Sequence, residues 1–296
     1  MYAQFCTTPT PLVRLAHISR VFGANLFLKM ETCNPYGNAW MRHALGCLGA
    51  ALARGELGPS GHVVDAADGG MALGLALAAN ALDLRLTLCL PPEASPETAA
   101  LLRKAGAAPR ATKLGAGMGA ARAEAEALQD DCWYSFRPDL FTNPDAEKAC
   151  AELGKEVLEQ LGPVTRPNAL VAAVTTGATL AGAGGAILRD ARACRLVAVV
   201  PGQAAPGSQP GASAHGEAAG AHEIPAILGR SHCHEAIFVP LDAAAATAQK
   251  LFAQEGLPGG SSTGAVLHAM ITLAGRPEFK GKTIVGVAGD SPGLGF

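Results

Sequence analysis

Short runs of aliphatic and β-branched residues alternate along this chain with longer stretches in which apolar positions recur every three to four residues. The runs at 26–30, 62–66, 85–90, 169–174, 195–200, 236–240 and 283–287 predict strands. The stretches at 41–54, 71–82, 96–104, 120–129, 146–161, 179–189, 243–254 and 263–274 predict helices. Strands that are apolar throughout, rather than alternating, belong to parallel sheets covered on both faces. Helices of about 10–15 residues between them supply the crossovers. The pattern predicts an α/β fold of two lobes, each a mostly parallel sheet covered by helices. The segment 202–220, dense in Ala, Gly, Pro and Ser, reads as a surface loop.

Composition narrows the function classes. At 296 residues the chain is long enough for about two domains. With 49% hydrophobic and 16% charged residues it is no disordered segment. Its most apolar stretch, 69–82, is interrupted by Asn80, so no run reaches the ~18 apolar residues of a membrane span. A formal charge of −2 provides no basic field, so neither nucleic acid nor an anionic membrane is an expected partner. The first residues show no charged and then apolar leader pattern, and the eight cysteines are scattered with no CxxC pair. Free thiols and a cytoplasmic location are therefore expected.

Several motifs lead nowhere. Gly115-Ala-Gly-Met-Gly119 lacks the GxGxxG spacing and reads as a turn entering a helix. His232-Cys233-His234 puts adjacent ligands on one backbone stretch without zinc spacing, and no metal is expected. No G-x-S-x-G elbow is present.

The informative segment is Asn34-Pro-Tyr-Gly-Asn-Ala-Trp-Met-Arg42, which follows a predicted strand and opens a helix. With Thr8-Pro-Thr-Pro-Leu-Val-Arg-Leu15 before it, it resembles the opening of cysteine synthases, members of the tryptophan-synthase-β-like (fold type II) pyridoxal-phosphate enzymes. The resemblance continues collinearly. Leu84 to Pro91 resembles a family strand, Phe141-Thr-Asn-Pro144 the QFxNP segment, and Val174-Thr-Thr-Gly-Ala-Thr-Leu-Ala-Gly182 the glycine-rich phosphate loop of the cysteine synthase B variety. Glu255-Gly256 and Ser261-Ser-Thr-Gly-Ala265 resemble the late EG…SSGA stretch. The resemblance implies a larger lobe of residues 1–37 and 146–296 carrying the phosphate loop, and a smaller lobe of 38–145 carrying the substrate loop.

Departures from the family pattern shape the functional expectation. Aligning Asn34-Pro35 and Arg42 with NPxGSxKDR puts Trp40 where the family carries its Schiff-base lysine. Imine formation needs a primary amine, which an indole does not offer. The substrate loop SGNTG becomes Asp68-Gly-Gly-Met-Ala72, which loses hydroxyls and an amide and adds a carboxylate that repels an anion. Leu140 replaces the glutamine before FxNP, and Ile224-Pro-Ala-Ile-Leu228 lacks the glycines of an IQGIG-like stretch.

By resemblance, ligand or phosphate binding falls to Thr175, Thr176, Gly177, Ala178 and Thr179, with Gly69, Gly70 and Ser291 completing the cleft. These residues imply no covalently held cofactor, only a weak non-covalent hold on pyridoxal phosphate or phosphate. The leading expectation is a cysteine-synthase-like pseudoenzyme that binds a small anionic or amino-acid-like ligand or a protein partner. Three alternatives stay open: a repurposed, cofactor-independent lyase or transferase with Asp68 as general base, a β-replacement enzyme with an unusual anchor, and a metal or thiol site at His232–His234. The family is typically dimeric, so a homodimer is expected.

Overall fold

The computed structural model describes residues 9–34, 37–112, 117–132, 134–202 and 233–292. Two sheets organise them. The larger has six strands, β1 (Leu12–Arg14), β2 (Asn25–Met30), β7 (Ala169–Ala173), β8 (Arg195–Pro201), β9 (Glu235–Val239) and β10 (Thr283–Ala288), in the order β1-β2-β10-β7-β8-β9. Only β1 runs antiparallel to its neighbour, with Val13 opposite Leu28. The smaller sheet is wholly parallel, in the order β5-β4-β3-β6, from β3 (His62–Ala66), β4 (Arg85–Leu90), β5 (Ala108–Ala111) and β6 (Ser135–Phe136).

Helices cover both faces of the large sheet. The helices α1 (Ala16–Phe22), α8 (Leu241–Glu255) and α9 (Ser261–Ala274) pack on one side through Ile18, Leu251, Val266, Met270 and Leu273. On the other side lie α6 (Pro144–Leu161) and α7 (Ala178–Asp190), through Leu153, Val157, Leu180 and Ile187. The small sheet is flanked by α2 (Trp40–Arg54), α3 (Gly69–Ala81) and α4 (Pro96–Lys104) on one face and α5 (Gly117–Asp131) on the other.

Helix starts follow local chemistry. Ser95 accepts the Thr98 N–H at 3.1 Å with Pro96 in the first turn, and Asn143 accepts the Asp145 N–H at 2.9 Å with Pro144 behind it. The helix α2 sits unusually close to α3: a Cβ on Gly74 would lie 2.6 Å from the Trp40 Cβ and 2.9 Å from its carbonyl carbon. Only a glycine lets the two backbones meet there.

Strands expected at 62–66 and 85–90 and the helix at 96–104 fall where the pattern puts them, and the other expected elements shift by a few residues. The helix expected from 120 begins at Gly117, and residues 115–116 lie outside the described ones. So do the loop at 203–220, the stretch 224–228 and His232. No helix among the described residues is long and apolar enough to cross a membrane.

Candidate functional site

Parallel α/β sheets place ligand sites beyond the carboxyl ends of their strands. At that edge of the large sheet, the turn after β7 leads through Gly177 into α7, and the end of β10 continues into Gly289 and Asp290. Gly177 has φ of +86°, a left-handed conformation that lets the chain turn sharply into the helix. The Thr176 hydroxyl accepts the Ala178 N–H at 3.3 Å. Beside this turn lies an inner cavity of about 50 Å³, lined by Trp40, His43, Thr175, Thr176, Thr179 and Asp290 among others. An outer cleft of about 510 Å³ has walls that include Trp40, Asp68, Glu93, Phe141 and Thr175. Trp40 and Thr175 line both compartments, so the indole forms a wall that the two have in common.

The first turn of α2 is anchored for this purpose. Asn38 accepts the Trp40 N–H at 2.7 Å and donates to the Gly70 carbonyl at 2.9 Å, tying the indole's helix to the start of α3. A Cβ on Gly70 would sit 3.4 Å from the Trp40 ring, so indole and glycine backbone are in close contact. One helical turn on, His43 stacks against Trp40 with ring centroids 4.9 Å apart. Its Nδ1 lies 3.0 Å from the Ala39 carbonyl and its Nε2 3.1 Å from the Thr179 hydroxyl, with the Cys150 sulfur 3.3 Å away. Burial pushes the imidazole down to about 4, so it is neutral at physiological pH. Sequence reasoning missed His43. Its signal is the three-residue spacing from Trp40, which puts both rings on one helix face.

The other expected residues distribute as follows. Gly69 and Asp68 line the outer cleft, where Asp68 caps α3 by accepting the Gly69 N–H at 2.8 Å. Ala178 is buried as the first residue of α7. Ser291 donates to the Gly37 carbonyl at 2.9 Å and is not among the cavity-lining residues named above, whereas its neighbour Asp290 is. The Asp290 carboxylate accepts the N–H groups of Ser262 and Thr263 at 2.9 and 2.7 Å and the Thr263 hydroxyl at 2.6 Å, which fixes it as the cap of α9.

No lysine is found among the described residues lining either compartment. The candidate nearest in sequence, Lys29, is fully buried elsewhere, paired with Glu156 at 2.5 Å and donating to the Thr10 carbonyl at 2.6 Å and Gln160 at 3.0 Å. Arg42 completes that network, gripping Glu31 with two bonds of 2.9 Å and reaching Glu156 at 2.9 Å. Burial alone would raise the Glu31 carboxyl, yet Arg42, Thr10 and Asn34 hold it below its ordinary value.

The sequence profile of the pyridoxal-phosphate dependent enzymes matches residues 4–290. The chain belongs to this family. Its relatives include a cysteine synthase of Staphylococcus aureus (strain Mu50), 31% identical over 283 residues, covering 94% of this chain and 89% of the relative. The fold is similar to O-acetyl serine sulfhydrylase isoform 3 of Entamoeba histolytica, with a TM-score of 0.87, 25% identity and coverage of 98% of this chain and 88% of that one. A hydrogen sulfide-producing enzyme of Fusobacterium nucleatum superposes with a TM-score of 0.86 and 25% identity over 99% of this chain and 98% of that one.

Family membership corrects one expectation. The inference of no covalently held cofactor rested on a single missing amine, and it conflicts with a family defined by pyridoxal-phosphate dependence. The geometry adds a local fact. Trp40 stands in the wall beside residues 175–179, and no lysine lines either compartment among the described residues, so no chemical step is derived through that cofactor.

Proposed function

We propose that this chain is a cysteine-synthase-like protein whose cleft binds a small amino-acid-like ligand and does not turn it over by β-replacement. The observation that carries this reading is the position of Trp40. An indole forms the wall common to both compartments, at the helix start where the family resemblance places the reacting amine. Indole nitrogen donates a hydrogen bond and has no basic lone pair to attack a carbonyl.

The two compartments divide the ligand's charges. The start of α7, with Thr175, Thr176 and Thr179, suits a carboxylate or phosphate, because first-turn N–H groups and the helix dipole favour an anion. Asp68, in the outer cleft, suits the ammonium group. A volume of about 510 Å³ lies within the usual range of roughly 300–1,000 Å³ for small-molecule sites. A relative offers a parallel: a lysine-to-alanine variant of O-ureido-L-serine synthase, with a TM-score of 0.84 and 26% identity, is known with O-ureido-L-serine bound.

Titration calorimetry with O-phospho-L-serine and O-acetylserine tests the binding half. Saturable binding is expected for wild type, weakened about three- to tenfold in Asp68→Asn, with no such change for the same molecule lacking its amine. Equal loss for both ligands contradicts the assignment of Asp68. Formation of cysteine from O-acetylserine and sulfide at rates that vanish in Trp40→Ala overturns the proposal.

A further inference from the structure

His43 is a buried titratable group in the inner compartment that the binding scheme above leaves unused. Its surroundings fix its hydrogens. A backbone carbonyl only accepts, so the 3.0 Å contact with Ala39 puts a hydrogen on Nδ1, and in the neutral ring Nε2 is then an acceptor. Two groups compete for that lone pair: the Thr179 hydroxyl at 3.1 Å and the Cys150 thiol at 3.3 Å. Burial pushes Cys150 up to about 12, so it stays a thiol and a weak donor, and the hydroxyl is the stronger of the two. With its hydrogen given to His43 rather than to the Cys150 sulfur, which it also reaches, Thr179 shows the cavity only lone pairs, and this disfavours the anion that the helix start attracts.

We propose that His43 is a positioning residue that decides whether Thr179 offers the inner compartment a hydrogen-bond donor, so that anion binding there takes up a proton. This rests on reading residues 175–179 as the anion site. One proton added at Nε2 makes the ring a donor at both nitrogens. Nε2–H then donates to the Thr179 oxygen, the hydroxyl hydrogen turns to the anion, and a positive charge lies one residue behind it. The groups facing the imidazole are Trp40 and the Ala39 carbonyl on its own segment, Cys150 of α6 and Thr179 of α7. The charges acting on it, Glu31 and Arg42, are paired with each other. Asp290 faces the same cavity and is held by α9.

Sulfate is the probe, because it remains a dianion between pH 7.5 and 5.0 while phosphate does not. Calorimetry across that range is expected to show wild-type affinity rising tenfold or more as pH falls from 7 to 5, within the linkage limit of about tenfold per pH unit for one proton. In His43→Gln the sulfate affinity is expected to persist with that slope lost, any contribution of Asp290 being common to both proteins. If His43→Gln does not fold, Thr179→Val, which removes a hydroxyl and keeps the shape, is expected to lose the same slope. Sulfate binding that is flat with pH in wild type, or a slope retained in these variants, overturns the role of His43 and leaves the anion site standing. Absence of sulfate binding at every pH overturns both.

Discussion

Asp65 offers a sharp test of how the smaller sheet is built. It sits in β3, 3% exposed, with Oδ1 accepting the Ala66 N–H at 2.9 Å and Oδ2 buried without a hydrogen-bond partner. Burial, with a smaller push from Asp139, raises its carboxyl to about 7 against the bond from Ala66 and the pull of Arg137 and Arg122. The folded state then keeps a proton that the unfolded chain releases near pH 4. Stability falls by about 1.4 kcal/mol per unit between roughly pH 4 and 7, and is level above that. The sum over the window is about 4 kcal/mol, a large share of a domain's stability. Urea unfolding of wild type and Asp65→Asn at pH 5.0, 6.0, 7.0 and 7.5, followed by fluorescence and circular dichroism together, isolates the effect. The amide of the variant adds a constant offset, and every other group cancels in the difference. Wild type is expected to lose about 3 kcal/mol relative to Asp65→Asn from pH 5.0 to 7.5. A difference flat within about 0.5 kcal/mol refutes the reasoning and means that Oδ2 reaches water or a partner.

Other expectations follow from packing and charge. Gly74→Ala drives a methyl into the Trp40 backbone and should lower stability by about 1–3 kcal/mol, read as a drop in melting temperature with the outer cleft disturbed. Arg42→Met strips the bidentate partner from Glu31 and two bonds from Glu156 inside the protein, and should cost about 3–5 kcal/mol in urea unfolding. Its loss should also make acid unfolding begin at higher pH, since Glu31 is held low by that contact, and a variant with unchanged acid behaviour contradicts this. Trp40 fluorescence should respond to O-phospho-L-serine in wild type and not in Trp40→Phe, which a signal surviving the substitution contradicts.

The parallel fold was legible because its signals are local. Largely apolar runs mark central strands such as His62–Ala66 and Arg85–Leu90, Ala169–Ala173 is apolar throughout, and the helix at 96–104 shows in its three-to-four-residue periodicity. The elements that escaped are short or marginal. Those strands are Leu12–Arg14, Ser135–Phe136 and Ala108–Ala111, an edge strand whose Pro and Arg break any apolar run; the helix is Ala16–Phe22. Trp40 stood out from its motif alone. What sequence could not show is pairing across long separations. His43 finds Cys150 and Thr179 more than a hundred residues away, and Arg42 finds Glu156 at a separation of 114. Asp290 faces the cavity, while its neighbour Ser291 donates to the Gly37 carbonyl across 254 residues of sequence.

The proposed function is a cleft, walled in part by an indole, that holds an amino-acid-like ligand without converting it. A single sample answers this: wild-type protein titrated with O-acetylserine in a calorimeter, then supplied with sulfide and assayed for cysteine. Saturable heat that weakens in Asp68→Asn, followed by no cysteine above the protein-free background, is the predicted result. Catalytic cysteine production that disappears in Trp40→Ala contradicts the account.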